Sequence, residues 1–389
     1  MPGPMAPACT LVRQSPSCTG WQVPHASGWR DDSSAPKVGG GGPCGARGFA
    51  QWRRTNCSTE SAASPALAMT TTIASAAAAG SGHSRAARRP RKPDVLGCRS
   101  DSVMTADSIR VTAIGWKARD IVGDGWRSVE LIATLSRSLY LDVSGEMIWL
   151  GPAESTLHGR AVLTADVPAL SAGPITHRLH FDLIRAVEWQ PAEAVVTRAD
   201  ADRLLEGCRA ILTVVPALGT PDGFGALLVG APPGFPLDRA AARAQLVVQA
   251  CARGDAAGAA TAAEGLLGLG PGLTPAGDDF VGAVFFARRL LAQAEAAPAE
   301  PWREAAAFIR ARAGDRTHRI SAALLGDLLD GAGYAPLHDL ASALATAKPP
   351  HVALDAARRL VRIGHSSGWD MLTGFIGACL GDFPSGASP

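Results

Sequence analysis

The chain of 389 residues predicts an α+β fold, an antiparallel β-rich N-terminal domain followed by a mainly α-helical C-terminal domain. Three observations carry that expectation. Apolar and polar residues alternate through much of 109–196, the period of a half-buried strand. From Arg198 onward the apolar residues recur at three- and four-residue steps, the period of a helix. Residues 1–103 show neither period. The chain therefore divides into 1–103, a low-complexity extension; 104–197, the β-rich domain; and 198–383, the helical domain. A chain of this length has room for two or three domains and a substantial core.

The extension holds the run Gly39-Gly40-Gly41-Gly42, the run Ala76-Ala77-Ala78-Ala79 and scattered Pro, Ser and Arg. Such a composition cannot bury enough apolar surface to order itself, so the segment is expected to be disordered, with the folded chain starting near Met104. Charge is uneven: 1–103 carries a net +7 and the remainder −5, behind an overall +2. The basic cluster from Arg85 to Lys92 reads as a solvated run or as a nucleic-acid tail. The acidic remainder gives no reason to expect nucleic acid or an anionic membrane as partner. No charged leader with an apolar stretch opens the chain, and no apolar run reaches the roughly 18 residues of a membrane span. Of eight cysteines, Cys9, Cys18, Cys44, Cys57 and Cys98 lie in the extension, without C-x-x-C spacing. That pattern predicts a reducing cytoplasm and no zinc site.

Strands are expected at 109–114, 138–143, 147–150, 159–164 and 178–183, with Ser144-Gly145-Glu146 as the turn between the second and third. His158, in Leu157-His158-Gly159, reads as a turn histidine or a ligand contact. His177 and His180 are not spaced as a helical metal pair and read as structural. Helices follow at 201–212, 239–252 and 255–267, then near 278–296, 301–313, 317–330, 337–347, 351–362 and 370–380. The Gly- and Pro-rich stretch 216–235 includes a short strand at 226–229. Cys208, Cys251 and Cys379 fall in apolar helical contexts, as small buried hydrophobes do.

The stretch Gly268-Leu269-Gly270-Pro271-Gly272-Leu273-Thr274-Pro275-Ala276-Gly277-Asp278-Asp279-Phe280 organises the rest. Four glycines and two prolines in its first ten residues exclude a helix or strand interior. The apolar, alanine-rich run after it reads as a buried helix. Thr274 suits the N-cap, Pro275 the first helical position, and Asp278 and Asp279 the first turn. Thr274, free N–H groups and two carboxylates would then meet at one mouth, unless the stretch is only a tight turn before a well-capped helix.

A second stretch, Gly364-His365-Ser366-Ser367-Gly368-Trp369-Asp370-Met371, has the same design. Laying Gly277 on Gly368 lays Asp279 on Asp370 and Phe280 on Met371. Both stretches lead into small-residue helices, where Gly282, Gly374 and Gly377 permit close packing. The pair suggests one bipartite site. Trp369 reads as core or as an apolar wall of that site. Arg316 and Arg319, at the start of a helix carrying Ser321, could clamp an anion or simply be solvated.

The glycines are not a P-loop, since Leu273-Thr274-Pro275 follows where Lys-Ser/Thr belongs. No acidic ribose partner supports a dinucleotide fingerprint. A triad of Ser366, His365 and Asp370 is disfavoured, because sequence neighbours rarely reach that geometry. An anion or carbonyl held by N–H groups and hydroxyls fits better. Asp278 or Asp279 would hold an amide donor, or a divalent cation such as Mg2+. No metal ligand or cofactor is assigned.

These two loops, with Arg319-Ile320-Ser321-Ala322, Leu150-Gly151-Pro152 and Leu157-His158-Gly159, resemble the AllH-like family of oxamate carbamoyltransferase subunits, over roughly 104–382. The resemblance implies a part in allantoin breakdown, where oxalurate and phosphate yield oxamate and carbamoyl phosphate. It also implies partner subunits and a small anionic substrate. In that setting Asp278, Asp279, His365 and Asp370 are the catalytic candidates. Gly270, Gly272, Thr274, Gly277, Ser366, Ser367, Gly368, His158, Arg319 and Ser321 are the substrate-binding ones. The family name leaves open whether this subunit is catalytic, a scaffold, or a binder of small anions.

Overall fold

In the computed structural model, residues 106–170, 176–193 and 195–384 are described. The extension and the expected start near Met104 lie outside them. β1 (Ala106–Gly115) runs into α1 (Trp116–Val122). There follow β2 (Gly125–Thr134), β3 (Leu139–Val143), β4 (Glu146–Pro152), β5 (Ala161–Thr164), β6 (Thr176–Asp182) and β7 (Val187–Trp189). The sheet order β5-β4-β3-β2-β6-β1 is closed by pairing of β5 with β1, and β7 adds to the end of β1. The result is a six-stranded barrel.

A β-rich part preceding a helical part is what the two periods predict. The expectation of antiparallel strands needs correction. β1 runs parallel to β6 and β7, and β4 runs parallel to β5. Alternation reports which side chains face inward and is silent on the direction of the neighbouring strand. Here α1 carries the chain out of the sheet between β1 and β2, and residues 153–160 bring it back between β4 and β5. Register shifts in the β1–β5 and β2–β3 pairs bend the sheet toward closure. Inside lie Val111, Ile114, Leu141, Ile148, Leu179 and Phe181, with Ala118 and Val122 from α1. The predicted β3–β4 turn is present, with Ser144 and Gly145 both at positive φ, as a two-residue hairpin matched to strand twist requires.

The helical part comprises α2 (Arg198–Val214), α3 (Ala241–Ala252), α4 (Ala256–Glu264), α5 (Ala276–Gln293), α6 (Ala299–Arg316), α7 (Arg319–Leu329), α8 (Ala335–Ala345), α9 (Pro350–Leu360) and α10 (Ser367–Leu380). α5 and α10 form its centre and are buried on nearly every face. Glycine makes their approach possible: a Cβ on Gly374 would stand 2.2 Å from the Phe280 carbonyl oxygen. Cys208 and Cys251 are buried, and Cys379 is half-buried.

The strand expected at 226–229 is instead part of a 3-10 helix, Gly223–Val229, started by Asp222, whose carboxylate accepts from the Gly223 N–H at 2.7 Å. This segment packs on α10 and has no strand beside it. Gly225 leaves room for Trp369, which is buried as core.

α7 joins barrel to helices. Its Ile320 and Leu324 pack on Tyr140 and Met147 of the barrel. Its buried Asp327 accepts from Lys117 Nζ at 2.7 Å and Arg160 Nε at 2.9 Å. Removing one partner of a pair this buried costs about 3–5 kcal/mol. Farther along, the Ala335 N–H donates to the Leu157 carbonyl at 2.9 Å.

Candidate active site

The loop 268–275 folds as it does because its glycines tolerate what a side chain would not. Gly268, Gly270 and Gly272 have φ of 73°, 121° and 93°. Pro275, not Thr274, takes the N-cap position of α5, and Ala276 begins the helix. Thr274 is thereby left to reach across: its hydroxyl lies 2.9 Å from that of Ser367, so the two loops touch.

Their backbones repeat one another. A Cβ on Gly277 would lie 1.9 Å from the Leu266 carbonyl oxygen, and one on Gly368 would lie 1.9 Å from that of Leu360. The Gly277 N–H donates to Leu269 at 2.9 Å, and the Gly368 N–H to Ile363 at 3.0 Å. In both loops glycine lets the first turn of a central helix sit against the end of the preceding segment.

The four carboxyl and imidazole candidates have different surroundings. Asp278 is buried and committed: Oδ1 accepts from the Gly268 N–H at 2.8 Å, and Oδ2 from the Thr317 and Ser321 hydroxyls at 2.6 Å each. It ties the glycine loop to the start of α7. Asp279 is buried with Oδ2 lacking any hydrogen-bond partner. Burial, reinforced by Asp370, raises its pKa well above the carboxylate range, while the hydroxyls of Ser367 and Thr274 act in the opposite direction. Asp370 is buried too, with Oδ1 accepting from the Phe224 N–H at 2.7 Å and Oδ2 unpartnered. Burial pushes its pKa up to about 7, opposed by the Phe224 N–H. His365 is exposed and faces Asp222 Oδ2 at 3.0 Å.

A cleft of about 820 Å³ opens where these loops face the barrel. From the helical side, Gly272, Thr274, His365, Ser366 and Ser367 reach it; from the barrel side, Tyr140, Trp149 and His158. His158 is buried, and burial followed by the nearby Arg160 guanidinium lowers its pKa to about 3. Its Nδ1 accepts from the Arg160 N–H at 3.3 Å, so Nε2 carries the proton and is a donor. Asp278, Ser321, Gly277 and Gly368 stand behind the wall as its supports. Arg319 lies elsewhere, bound to Asp142 and to the Gly145 carbonyl on the β3–β4 hairpin. Arg316 pairs with Glu264 at 3.1 Å. Among the described residues no group of three or more His, Cys, Asp or Glu side chains is placed to hold a metal ion.

Sequence reasoning passed over several residues of this cleft, among them three that bear on its chemistry. The chain has two tyrosines, and both Tyr140 and Tyr334 line it. Burial raises both pKa values, Tyr140 to about 12 and Tyr334 well above the usual range, each with Asp279 as a further cause. Arg362 is the third, an exposed arginine in the lining with no ion-pair partner among the described residues. Tyrosine's rarity was a usable signal; nothing local singled out Arg362.

Residues 266–379 match the family model described as oxamate carbamoyltransferase subunit AllH. The segment is AllH-like. It contains both loops, α5, α7 and α10, whereas the resemblance read from the sequence also took in the barrel. Among curated proteins, the ATP-dependent dethiobiotin synthetase BioD of Pseudescherichia vulneris is 40% identical over 58 residues, which is 14% of this chain and 24% of that protein. The match thus spans about a quarter of that relative's length. No solved structure matches the chain. No helix among the described residues is long and apolar enough to cross a membrane. The AllH description names a subunit, and so a multi-subunit enzyme.

Proposed function

We propose that this chain is a subunit of an oxamate carbamoyltransferase-like enzyme and that its cleft binds the small carboxylate or ureido substrate. One observation carries the reading: the Thr274 and Ser367 hydroxyls bridge the two loops in front of a buried carboxyl, Asp279, whose Oδ2 has no hydrogen-bond partner. A carboxyl held protonated near neutral pH is a proton donor. In the phosphorolytic direction a phosphate oxygen bonds to the ureido carbon of oxalurate, and the bond from that carbon to the oxamate nitrogen breaks. The departing nitrogen gains a proton, supplied by Asp279 through the two hydroxyls. Arg362 pairs with the substrate carboxylate, and His158 Nε2–H donates to a carbonyl oxygen. Such a substrate leaves much of the cleft unfilled, which gives a partner subunit room to complete the site.

Calorimetric titration of the full chain with carbamoyl phosphate, oxamate and phosphate, with and without Mg2+, tests this reading. Saturable binding is expected, weakened about tenfold by Arg362→Gln, the value of one charge-assisted hydrogen bond. If neither the chain nor its assembled complex binds any of the three, the substrate-site reading is wrong and a scaffolding subunit remains.

A further inference from the structure

A second cleft, of about 440 Å³, lies between α5 and α6 and is closed by the end of α7. It is separate from the AllH loops. Its floor is aromatic: Phe285 and Trp302 are buried, with ring centroids 6.0 Å apart. Its rim carries Arg289, Arg303 and Arg310. Two of these are committed, Arg310 to Asp330 at 2.6 Å and Arg303 to Glu300. Asp330, the acid in the lining, is further engaged by Lys117 Nζ at 3.8 Å.

Arg289 is different. It is exposed and has no hydrogen-bond or ion-pair partner among the described residues. Its stem crosses Gly331, where φ is 80° and a Cβ would stand 2.8 Å from Arg289 Cδ. Glycine there gives the guanidinium its place at the rim. Beneath, Trp302 Nε1 and Arg288 Nε are buried donors with no partner, and the Arg288 guanidinium carbon stands 4.4 Å from the Trp302 ring centroid.

We propose that this cleft binds a small organic monoanion, a carboxylate or similar oxyanion on a flat apolar body. The oxyanion pairs with the Arg289 fork, and the body lies against Phe285 and Trp302. The volume falls within the roughly 300–1,000 Å³ of small-molecule sites.

Titration of the full chain with benzoate, and with benzamide as the uncharged isostere, tests the proposal. Benzoate is expected to saturate one site, with benzamide about tenfold weaker. Arg289→Gln, at an exposed position, should weaken benzoate by a similar factor, while Arg362→Gln in the first cleft leaves it unchanged. Equal binding of the two compounds, loss in Arg362→Gln but not in Arg289→Gln, or no benzoate binding at all would each overturn it. Loss in Arg362→Gln alone would place the benzoate carboxylate in the first cleft; the other outcomes leave the substrate proposed there untouched.

Discussion

The two glycine loops are alike in backbone and unlike in chemistry. In each, a glycine presses against a carbonyl oxygen and a carboxyl two residues later is buried in the first turn of a central helix. Asp279 stands behind two hydroxyls that open on the cleft. Asp370 is turned toward the Gly223–Val229 segment and holds the Phe224 N–H. A motif repeated within one chain therefore specifies a way of packing a helix start. What the carboxyl does is decided by what the fold brings opposite it.

The sharpest break of this comparison is the pair Asp279→Asn and Asp370→Asn. In the assembled enzyme, Asp279→Asn should lower kcat/KM by about a hundredfold or more, the scale of a lost general acid. Its thermal unfolding should not be lowered, since a neutral amide replaces a carboxyl already held protonated, and above about pH 4 it should rise, because the unfolded chain no longer gains by ionising that carboxyl. Asn at 370 keeps an oxygen for the Phe224 N–H and should leave activity within a few-fold of wild type. Equal losses in the two variants would show that the loops share one function.

How much of this was legible follows from what kind of constraint acts at each residue. Gly277 and Gly368 could be paired from sequence because a steric demand admits only glycine and so leaves a mark. The helix starts were legible too, but the burial of Asp278, Asp279 and Asp370 was not: the expectation put the carboxylates of the first loop at an open mouth, and packing of α5 and α10 encloses them. Thr274 was misread as a cap because its hydroxyl's partner, Ser367, is 93 residues away. Barrel closure and the parallel strand pairs were hidden, because alternation carries no strand direction. Tyr140, Tyr334 and Arg362 reach the cleft only through tertiary approach.

A smaller effect is expected from Gly277→Ala and Gly368→Ala. The added methyl meets a backbone oxygen, which cannot swing aside as a side-chain tip can. Each should cost about 1–3 kcal/mol, read as a lower denaturation midpoint at unchanged m-value. If the repeat is one of packing, the two costs are similar, whatever the difference between Asp279 and Asp370 in catalysis. A large loss at one glycine alone would mean that the backbones only look alike.

A separate effect is on the pH dependence of stability, and it sharpens the contrast from the side of Asp370. Its folded pKa, up at about 7, exceeds the unfolded value of about 3.9. Between those two values the native state binds more protons than the unfolded chain, so stability falls as pH rises. The loss is complete once pH has passed the folded value. Below the unfolded value both states are protonated and the group makes no difference to the slope. Asp370→Asn should therefore flatten the fall in Tm between about pH 4 and pH 7, because the amide does not titrate. Asp279→Asn should flatten the fall and carry that effect to higher pH, since burial and the neighbouring Asp370 both oppose its ionisation. A Tm profile that both variants leave unchanged would mean that neither carboxyl is held protonated, and Asp279 would then have no proton to give.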